Sequence, residues 1–185
     1  MKNYSFHEVV KLRYSCRKFL PEIVSDKTIL SVLEEAQLSP SNCNTQPWSV
    51  HIVSGQKQKE LAKKLVAAHK AAQYSPDFTF DTKEFKGIYN ERQFAQGKLY
   101  YENLGIERED KEARDEANIK NHNFYNAPHV ALLFMPSVGD NVRVAADIGM
   151  YAQTFLLSLT AHGLAGVPQT ILGFFGDTIR EHLNI

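Results

Sequence analysis

Two arginines and a serine lie close together near the N-terminus, in residues 13–19 (RYSCRKF). A helix would place Arg13 and Arg17 on one face, because they are four residues apart. An extended chain would instead place Arg13, Ser15 and Arg17 on one side. Guanidinium groups match phosphate oxygens bidentately, so either geometry favours an anion site, and we interpret the anion as a phosphate. The alternative is a solvated basic helix end that includes Lys18.

A second polar stretch covers residues 41–47 (SNCNTQP), where five of seven side chains carry a hydroxyl or an amide. Neutral donors and acceptors suit a polyol chain or the edge of a heterocycle better than a metal ion. The alternative is a polar surface turn, which the same residue types favour. The stretch follows Ser39-Pro40, where a preceding helix must end because the residue before proline avoids the helical region.

The elements that position these stretches begin with two capped helices. Ser5 and Glu8 fit a capping box, which predicts a short helix over residues 6–13. Ser25 is expected to cap a second helix over residues 26–37. The apolar stripe of the second helix is predicted to face the core and consists of Ile29, Leu30, Leu33 and Ala36.

The rest of the chain predicts an alternation of further helices and a few short strands. The predicted elements are a strand over 48–53, a helix over 56–73, a loop over 74–87, a helix over 88–104, a solvated helix over 107–121, a buried strand over 129–135, a helix over 142–162, a strand and turn over 164–171, and a helix over 173–183. The 56–73 helix should bury Leu61, Leu65 and Ala68, and Gly105 should end the 88–104 helix.

Two of these helices carry unusual apolar character. The 142–162 helix, which Asn141 is expected to cap, is hydrophobic nearly all round, as in a core centre or a dimer spine. The aromatic residues of the 88–104 helix could line a pocket for a planar substrate or pack in the core; they are Tyr89, Phe94, Tyr100 and Tyr101.

Composition excludes several classes of protein. The 185 residues, 43% hydrophobic and 23% charged, predict one globular domain over 1–185. Lys+Arg and Asp+Glu both number 21, so the chain lacks the basic character of a nucleic-acid binder. No apolar run is long enough for a membrane span, and no signal peptide begins the chain, so we expect a cytoplasmic protein.

Cysteine and histidine usage favours neither disulfides nor metal. Cys16 and Cys43 are too few for a disulfide framework and form no C-x-x-C, so we expect two buried thiols. The seven histidines never form an H-x-x-x-H or H-x-H pair, and no metal site is predicted.

Three segments together resemble the FMN-dependent nitroreductase family. Residues 13–19 resemble its R-x-S-x-R-x-F opening, residues 40–48 (PSNCNTQPW) resemble its P-S-x-x-N-x-Q-P-W loop, and residues 163–169 (GLAGVPQ) resemble its late glycine-proline segment. Their order and spacing also match. The resemblance implies an α+β fold, with helices around a mostly antiparallel central sheet, assembled as an intertwined homodimer with FMN at the interface.

The resemblance also assigns roles to residues. Arg13 would hold the FMN phosphate, Tyr14 and Ser15 would line that end, and Arg17 would face the N1/O2 edge of the ring. The residues implied to touch the ribityl chain and ring from the other subunit are Pro40, Ser41, Asn42, Asn44 and Gln46. The segment implied to run along one ring face, with a backbone N–H aimed at N5, is Pro168, Gln169, Thr170 and Ile171.

The resemblance implies an NAD(P)H-dependent oxidoreductase that reduces nitroaromatics, quinones or similar acceptors by a ping-pong mechanism. Hydride would pass through flavin N5, so no protein acid or base is required, and no catalytic residue is predicted. Family members usually continue beyond the position of Ile185 with a tail that supplies another phosphate cation and wraps around the partner. Without it, we expect FMN binding and the dimer to be weakened.

Other functions remain open from the sequence. A specialised branch of the family, such as a reductive dehalogenase or an oxygen-dependent flavin-fragmenting enzyme, would differ in its lid, which we assign to residues 74–121. A non-catalytic flavin-binding or nucleotide-binding module is the alternative from a different class. Such a module would be yellow when purified yet would not oxidise NADH with any acceptor.

Overall fold

The structure, a computed structural model, describes residues 4–185 and has the α+β class that was predicted. Its α-helices and strands, in chain order, are α1 (Phe6–Leu12), α2 (Asp26–Gln37), β1 (Ser49–Ser54), α3 (Gly55–Lys70), α4 (Ile88–Asn103), α5 (Lys111–His122), β2 (His129–Phe134), α6 (Val142–Ala161) and α7 (Gly176–Leu183). Among the described residues, no helix combines the length and the apolar character needed to cross a membrane.

The chain divides into two compact units. The first comprises residues up to Lys59 together with Asn126–Pro168, and the second comprises Glu60–Tyr125 and Gln169–Ile185. The prediction of a single domain over 1–185 stays a prediction.

The first unit combines a pair of antiparallel strands with helix packing. Strands β1 and β2 pair antiparallel, from Ser49 opposite Phe134 to Ser54 opposite His129. Helix α2 packs against α6, and Glu35 joins them because its carboxylate accepts from Ser158 Oγ at 2.6 Å. This hydrogen bond lowers the pKa of Glu35. The buried apolar side chains of the unit include Val9, Val32, Ala36, Val53, Val130, Leu132, Val144 and Tyr151.

Helix α6 buries one stripe rather than its whole surface. Its buried residues are Val144, Asp147, Tyr151 and Ser158, which follow the spacing of a single helical face. Val142 is 65% exposed. Helix α6 therefore does not have the all-round burial expected of a core centre.

The second unit has its core around α3, α5 and the segment before α7. Leu61 and Leu65 are fully buried and Ala68 is buried, as predicted. Two residues just before Phe175 hold the 75–77 segment, because Ser75 N donates to Phe174 O at 2.8 Å and Asp77 N donates to Gly173 O at 3.2 Å. Helix α4 has no buried residue, so its aromatic residues are not core residues within this unit.

Several local predictions are confirmed. The Ser5–Glu8 capping box is formed, Ser25 caps α2 over the predicted residues, and Gly105 follows the C-cap of α4 with a φ of +67°. Of the predicted core face of α2, Ala36 is buried as expected, but Leu30 is 56% exposed and Val32, which was not predicted, is buried instead.

Three other predictions were wrong for identifiable reasons. Asn141 is the N-cap residue of α6, but its side chain does not cap the helix, because it accepts from Val138 N at 2.8 Å, and Asp140 accepts from Val142 N instead. Residues 164–171 form no strand beyond a single bridge at Gly166, and Pro168 has no N–H with which to extend it. Cys16 is buried as expected, but Cys43 is exposed, since it lies in a turn with a φ of +52°.

Candidate functional site

The first of the three family-like segments, residues 13–19 and called here the first or arginine motif, is extended and not helical. Helix α1 ends at Leu12, and Arg13 is its C-cap, with an extended backbone (φ −64°, ψ 123°) and its N–H donated to Val9 O. No residue between 13 and 19 is helical. Of the two geometries that the sequence left open for the arginines, the structure has the extended one.

Within the first unit, the first motif lies beside Gly166 of the third motif. Ser15 and Gly166 form a parallel bridge, in which Cys16 N donates to Gly166 O at 3.2 Å. A Cβ at Gly166 would lie only 3.0 Å from Leu159 and 3.1 Å from Leu156, so a larger residue would press on α6. The glycine therefore lets the late segment pack closely on α6 beside the arginine motif.

The side chains of the first motif differ in their surroundings. Cys16 is buried and donates its thiol to Lys18 O at 3.1 Å. Tyr14 and Arg17 are exposed, while Arg13 and Ser15 are partly buried. Arg13 makes no hydrogen bond or ion pair through its guanidinium with any residue that the structure describes. A partly buried cation without a described protein partner is a suitable group for a bound phosphate.

The second polar stretch with the preceding Pro40, called here the amide-rich loop (residues 40–47), has an unusual backbone in the first unit. Cys43, Asn44 and Gln46 all have positive φ, at +52°, +54° and +47°, although none is glycine. Ser41 stabilises the turn, because its Oγ accepts from Gln46 N at 2.8 Å. Ser41 is partly buried, and the predicted ligand residues exposed around it are Pro40, Asn42, Asn44 and Gln46. Non-glycine residues adopt this backbone at a cost and cluster at functional sites.

The ring-face segment begins at the end of the first unit and continues in the second. Pro168 and Thr170 are exposed, and Gln169 and Ile171 are partly buried. In the second unit, Gln169 Nε2 donates to the backbone and side-chain oxygens of Asn121, both at 3.1 Å. Tyr125 holds Asn121 in turn, donating its hydroxyl to Asn121 Oδ1 at 2.8 Å.

A cavity of about 350 Å³ lies next to this segment within the second unit. Its lining is mostly aromatic and consists of His69, Tyr74, His122, Ile171, Phe174 and Phe175. His122 is fully buried and stacks on His69, with the ring centroids 4.1 Å apart. Burial first, and then His69, lower the pKa of His122 to about 4. The ring is therefore neutral near pH 7, with its Nδ1–H donated to Asn118 O at 3.2 Å.

Three residues that contact the predicted segments or line the cavity, each within its own unit, were missed from the sequence. Asp147 accepts from the amide-rich loop, Asn121 accepts from Gln169, and His122 lines the cavity. Asp147 is the one charged residue among the buried residues of α6, and a carboxylate at core spacing is a signal that the sequence contains. Asn121 and His122 fall near the end of a charge-rich helix and carry no comparable signal.

The chemistry of the donor set fits FMN. The Arg13 cation suits a phosphate, and the exposed amides of Asn42, Asn44 and Gln46 suit a polyol and the edge of a heterocycle. The parallel bridge at Ser15 holds the segment that leads to Gln169 beside the arginine motif. A flavin mononucleotide has the phosphate, polyol and planar ring that these groups would bind.

Comparison with known proteins identifies relatives over nearly the whole chain. The model of the nitroreductase family matches residues 10–185. The nitroreductase NfnB of Mycolicibacterium smegmatis is 41% identical, and the match covers 96% of this chain and 75% of that protein. A 4-nitrobenzoate reductase of Pseudomonas putida is 32% identical, and the match covers 97% of this chain and 78% of that protein. The crystal structure of FMN-dependent NfnB from Mycobacterium smegmatis in complex with NADPH is similar with a TM-score of 0.93, at 40% identity, over 97% of this chain and 80% of that one.

Proposed function

Because the chain belongs to the nitroreductase family, we propose that it is an FMN-dependent oxidoreductase that takes hydride from NAD(P)H and reduces nitroaromatics, quinones or similar acceptors by a ping-pong mechanism. The observation that carries this proposal is the bridge between Ser15 and Gly166, which joins two of the three motifs. The names of the relatives support a nitroaromatic acceptor, and the NADPH complex of a 40% identical structure supports a nicotinamide donor.

The residues proposed to bind FMN fall into three groups. Arg13, with Tyr14 and Ser15, binds the phosphate, and Arg17 lies at the N1/O2 edge of the ring. The amide-rich loop contributes Pro40, Ser41, Asn42, Asn44 and Gln46, and the ring-face segment contributes Pro168, Gln169, Thr170 and Ile171. When bound, FMN supplies a centre that accepts hydride from one substrate and gives it to another.

The chain's own side chains then orient and stabilise rather than transfer protons. A cation at Arg17 favours the reduced state of a flavin, because negative charge collects at the N1/O2 edge on reduction. Neutral amides hold the polyol and the ring edge without adding charge to the site. No side chain is proposed as a catalytic acid or base.

We also propose that the protein acts as a homodimer with FMN at the subunit interface. Large apolar side chains of the first unit are exposed in a single chain, including Leu38 (84%), Phe6 (75%) and Leu20 (75%). Exposed apolar surface of this kind is typical of an interaction site. Helix α6 is the proposed dimer spine. The proposal involves no nucleic acid or membrane partner, and it includes the predicted cytoplasmic location.

Absorption and turnover test the proposal together. The purified protein, after incubation with FMN and gel filtration, should retain visible flavin absorption. Under anaerobic conditions NADPH or NADH should bleach that absorption, and 4-nitrobenzoate should restore it in a separate step, as ping-pong transfer requires. Protein that binds FMN but is not bleached by either nicotinamide would overturn the oxidoreductase function. Protein that retains no flavin would overturn the cofactor assignment.

A further inference from the structure

The amide-rich loop is fastened to helix α6 near both of its ends. Asn42 N donates to Asp147 Oδ1 at 3.0 Å, and the Trp48 ring lies against the Tyr151 ring with centroids 4.9 Å apart. Asp147 and Tyr151 are one helical turn apart on the buried face of α6. One face of this helix therefore holds the beginning and the end of the loop.

Asp147 is the charged member of this attachment. It is 3% exposed, and its neighbours on the buried stripe of α6 are the apolar Val144 and the aromatic Tyr151. A carboxylate in such surroundings is stabilised only when it accepts hydrogen bonds, and the bond from Asn42 supplies one. A bond to a charged acceptor is stronger than one between neutral groups, so it fixes the loop firmly.

The loop requires such an anchor because its backbone is unfavourable by itself. Three of the four residues after Asn42 adopt positive φ although none is glycine: Cys43, Asn44 and Gln46. The other bonds of the turn are internal: Ser41 Oγ accepts from Gln46 N, and Thr45 Oγ1 donates to Asn42 O at 3.0 Å. Internal bonds keep the shape of the turn but do not place it on the rest of the protein.

We propose that Asp147 is a positioning residue for cofactor binding: its carboxylate holds the Asn42 backbone so that the amide-rich loop presents its side chains to the flavin. The proposal rests on the proposed function above, because it assigns the loop to FMN. Asp147 acts through Asn42 and is not itself assigned to touch the cofactor.

Two substitutions separate charge from geometry. Asp147→Ala removes the acceptor, and Asp147→Asn keeps an acceptor oxygen of the same size without the charge. We expect Asp147→Ala to weaken FMN binding by about tenfold or more and Asp147→Asn to weaken it by about threefold or less. The flavin-free proteins are titrated with FMN, and the dissociation constant is obtained from the quenching of flavin fluorescence.

Asp140→Ala is the matched control. Asp140 is an exposed carboxylate at the start of the same helix, and its Oδ1 accepts from Val142 N at 3.1 Å without contacting the loop. This variant loses a comparable bond and should bind FMN as the unmodified protein does. Thermal melting of each flavin-free variant then shows whether a change in affinity exceeds what lost stability alone produces.

Amide hydrogen exchange of residues 42–46 in the flavin-free proteins gives a readout that does not need FMN. Exchange should be faster in Asp147→Ala than in Asp140→Ala when the two are compared under conditions that give them the same free energy of unfolding. If exchange changes as expected but the unmodified protein does not bind FMN, the proposed function fails while Asp147 still positions the loop. If Asp147→Ala binds FMN as tightly as Asp140→Ala, or if loop exchange is the same in both, the positioning role is overturned.

Discussion

The side-chain nitrogen of Gln169 lies 3.1 Å from both the backbone oxygen and the side-chain oxygen of Asn121. Both hydrogens of the Gln169 amide are therefore engaged within the second unit. Gln169 can offer a ligand only its acceptor oxygen Oε1 and its backbone groups. Asn121 thus determines which side-chain atom Gln169 of the ring-face segment can present to a ligand.

Replacing Asn121 by alanine should weaken FMN binding by about tenfold, because Gln169 loses an acceptor and its amide is free to rotate. Tyr125→Phe should have a smaller effect in the same direction, since it removes only the hydroxyl that holds Asn121. Fluorescence titration of flavin-free protein measures both affinities. Asn118→Ala on the same helix is the control, because its side chain accepts from Tyr101 rather than from Gln169. Equal affinities for Asn121→Ala and Asn118→Ala would contradict this role.

Arg13→Ala should weaken FMN binding by about tenfold to a hundredfold, because a charge-assisted contact to the phosphate is lost. The same variant should bind riboflavin, which has no phosphate, as the unmodified protein does. Isothermal titration with each flavin measures the difference. Lys11→Ala provides a matched loss of positive charge in the last turn of α1. If Arg13→Ala lost affinity for riboflavin and FMN equally, Arg13 would not be the phosphate ligand.

Arg17→Ala should lower the two-electron reduction potential of bound FMN by tens of millivolts, where about 30 mV corresponds to about 1.4 kcal/mol. The cause is the loss of a cation that stabilises the negative charge of the reduced ring. Equilibration with a reference dye under anaerobic conditions measures the potential. Lys18→Ala removes the adjacent exposed charge and should change the potential much less. A larger shift for Lys18→Ala than for Arg17→Ala would contradict the assignment.

The free energy of unfolding should fall as the pH decreases from about 7 to 5, in part because of His122. Its pKa is lowered from 6.5 to about 4 in the folded chain, so the unfolded chain binds the proton first. The full difference corresponds to about 3 kcal/mol and is reached only near pH 4. Urea unfolding between pH 5 and 7 measures the slope.

His122→Phe should flatten this pH dependence, because phenylalanine suits the contact with Phe175 and does not titrate. His7→Gln replaces an exposed histidine on α1 and should leave the slope unchanged. A slope that His122→Phe does not alter would mean that other groups account for the pH dependence.

The sequence by itself determined the features that depend on neighbouring residues. The capping box at Ser5, the limits of α2 and the glycine after α4 were all predicted, because caps and helix ends are stabilised by contacts within a few residues. The three motifs also identified the family, since their residue types and spacing are read directly from the chain.

Only the tertiary structure decided how the motifs are held. Asn42 meets Asp147 across 105 residues, and Gln169 meets Asn121 across 48, and no local pattern predicts either pair. The exposure of Cys43 was likewise not predicted, and this residue lies in the turn that Asp147 of α6 holds through Asn42. Contacts of this kind depend on how helices and loops pack in three dimensions, and that packing is a property of the whole fold.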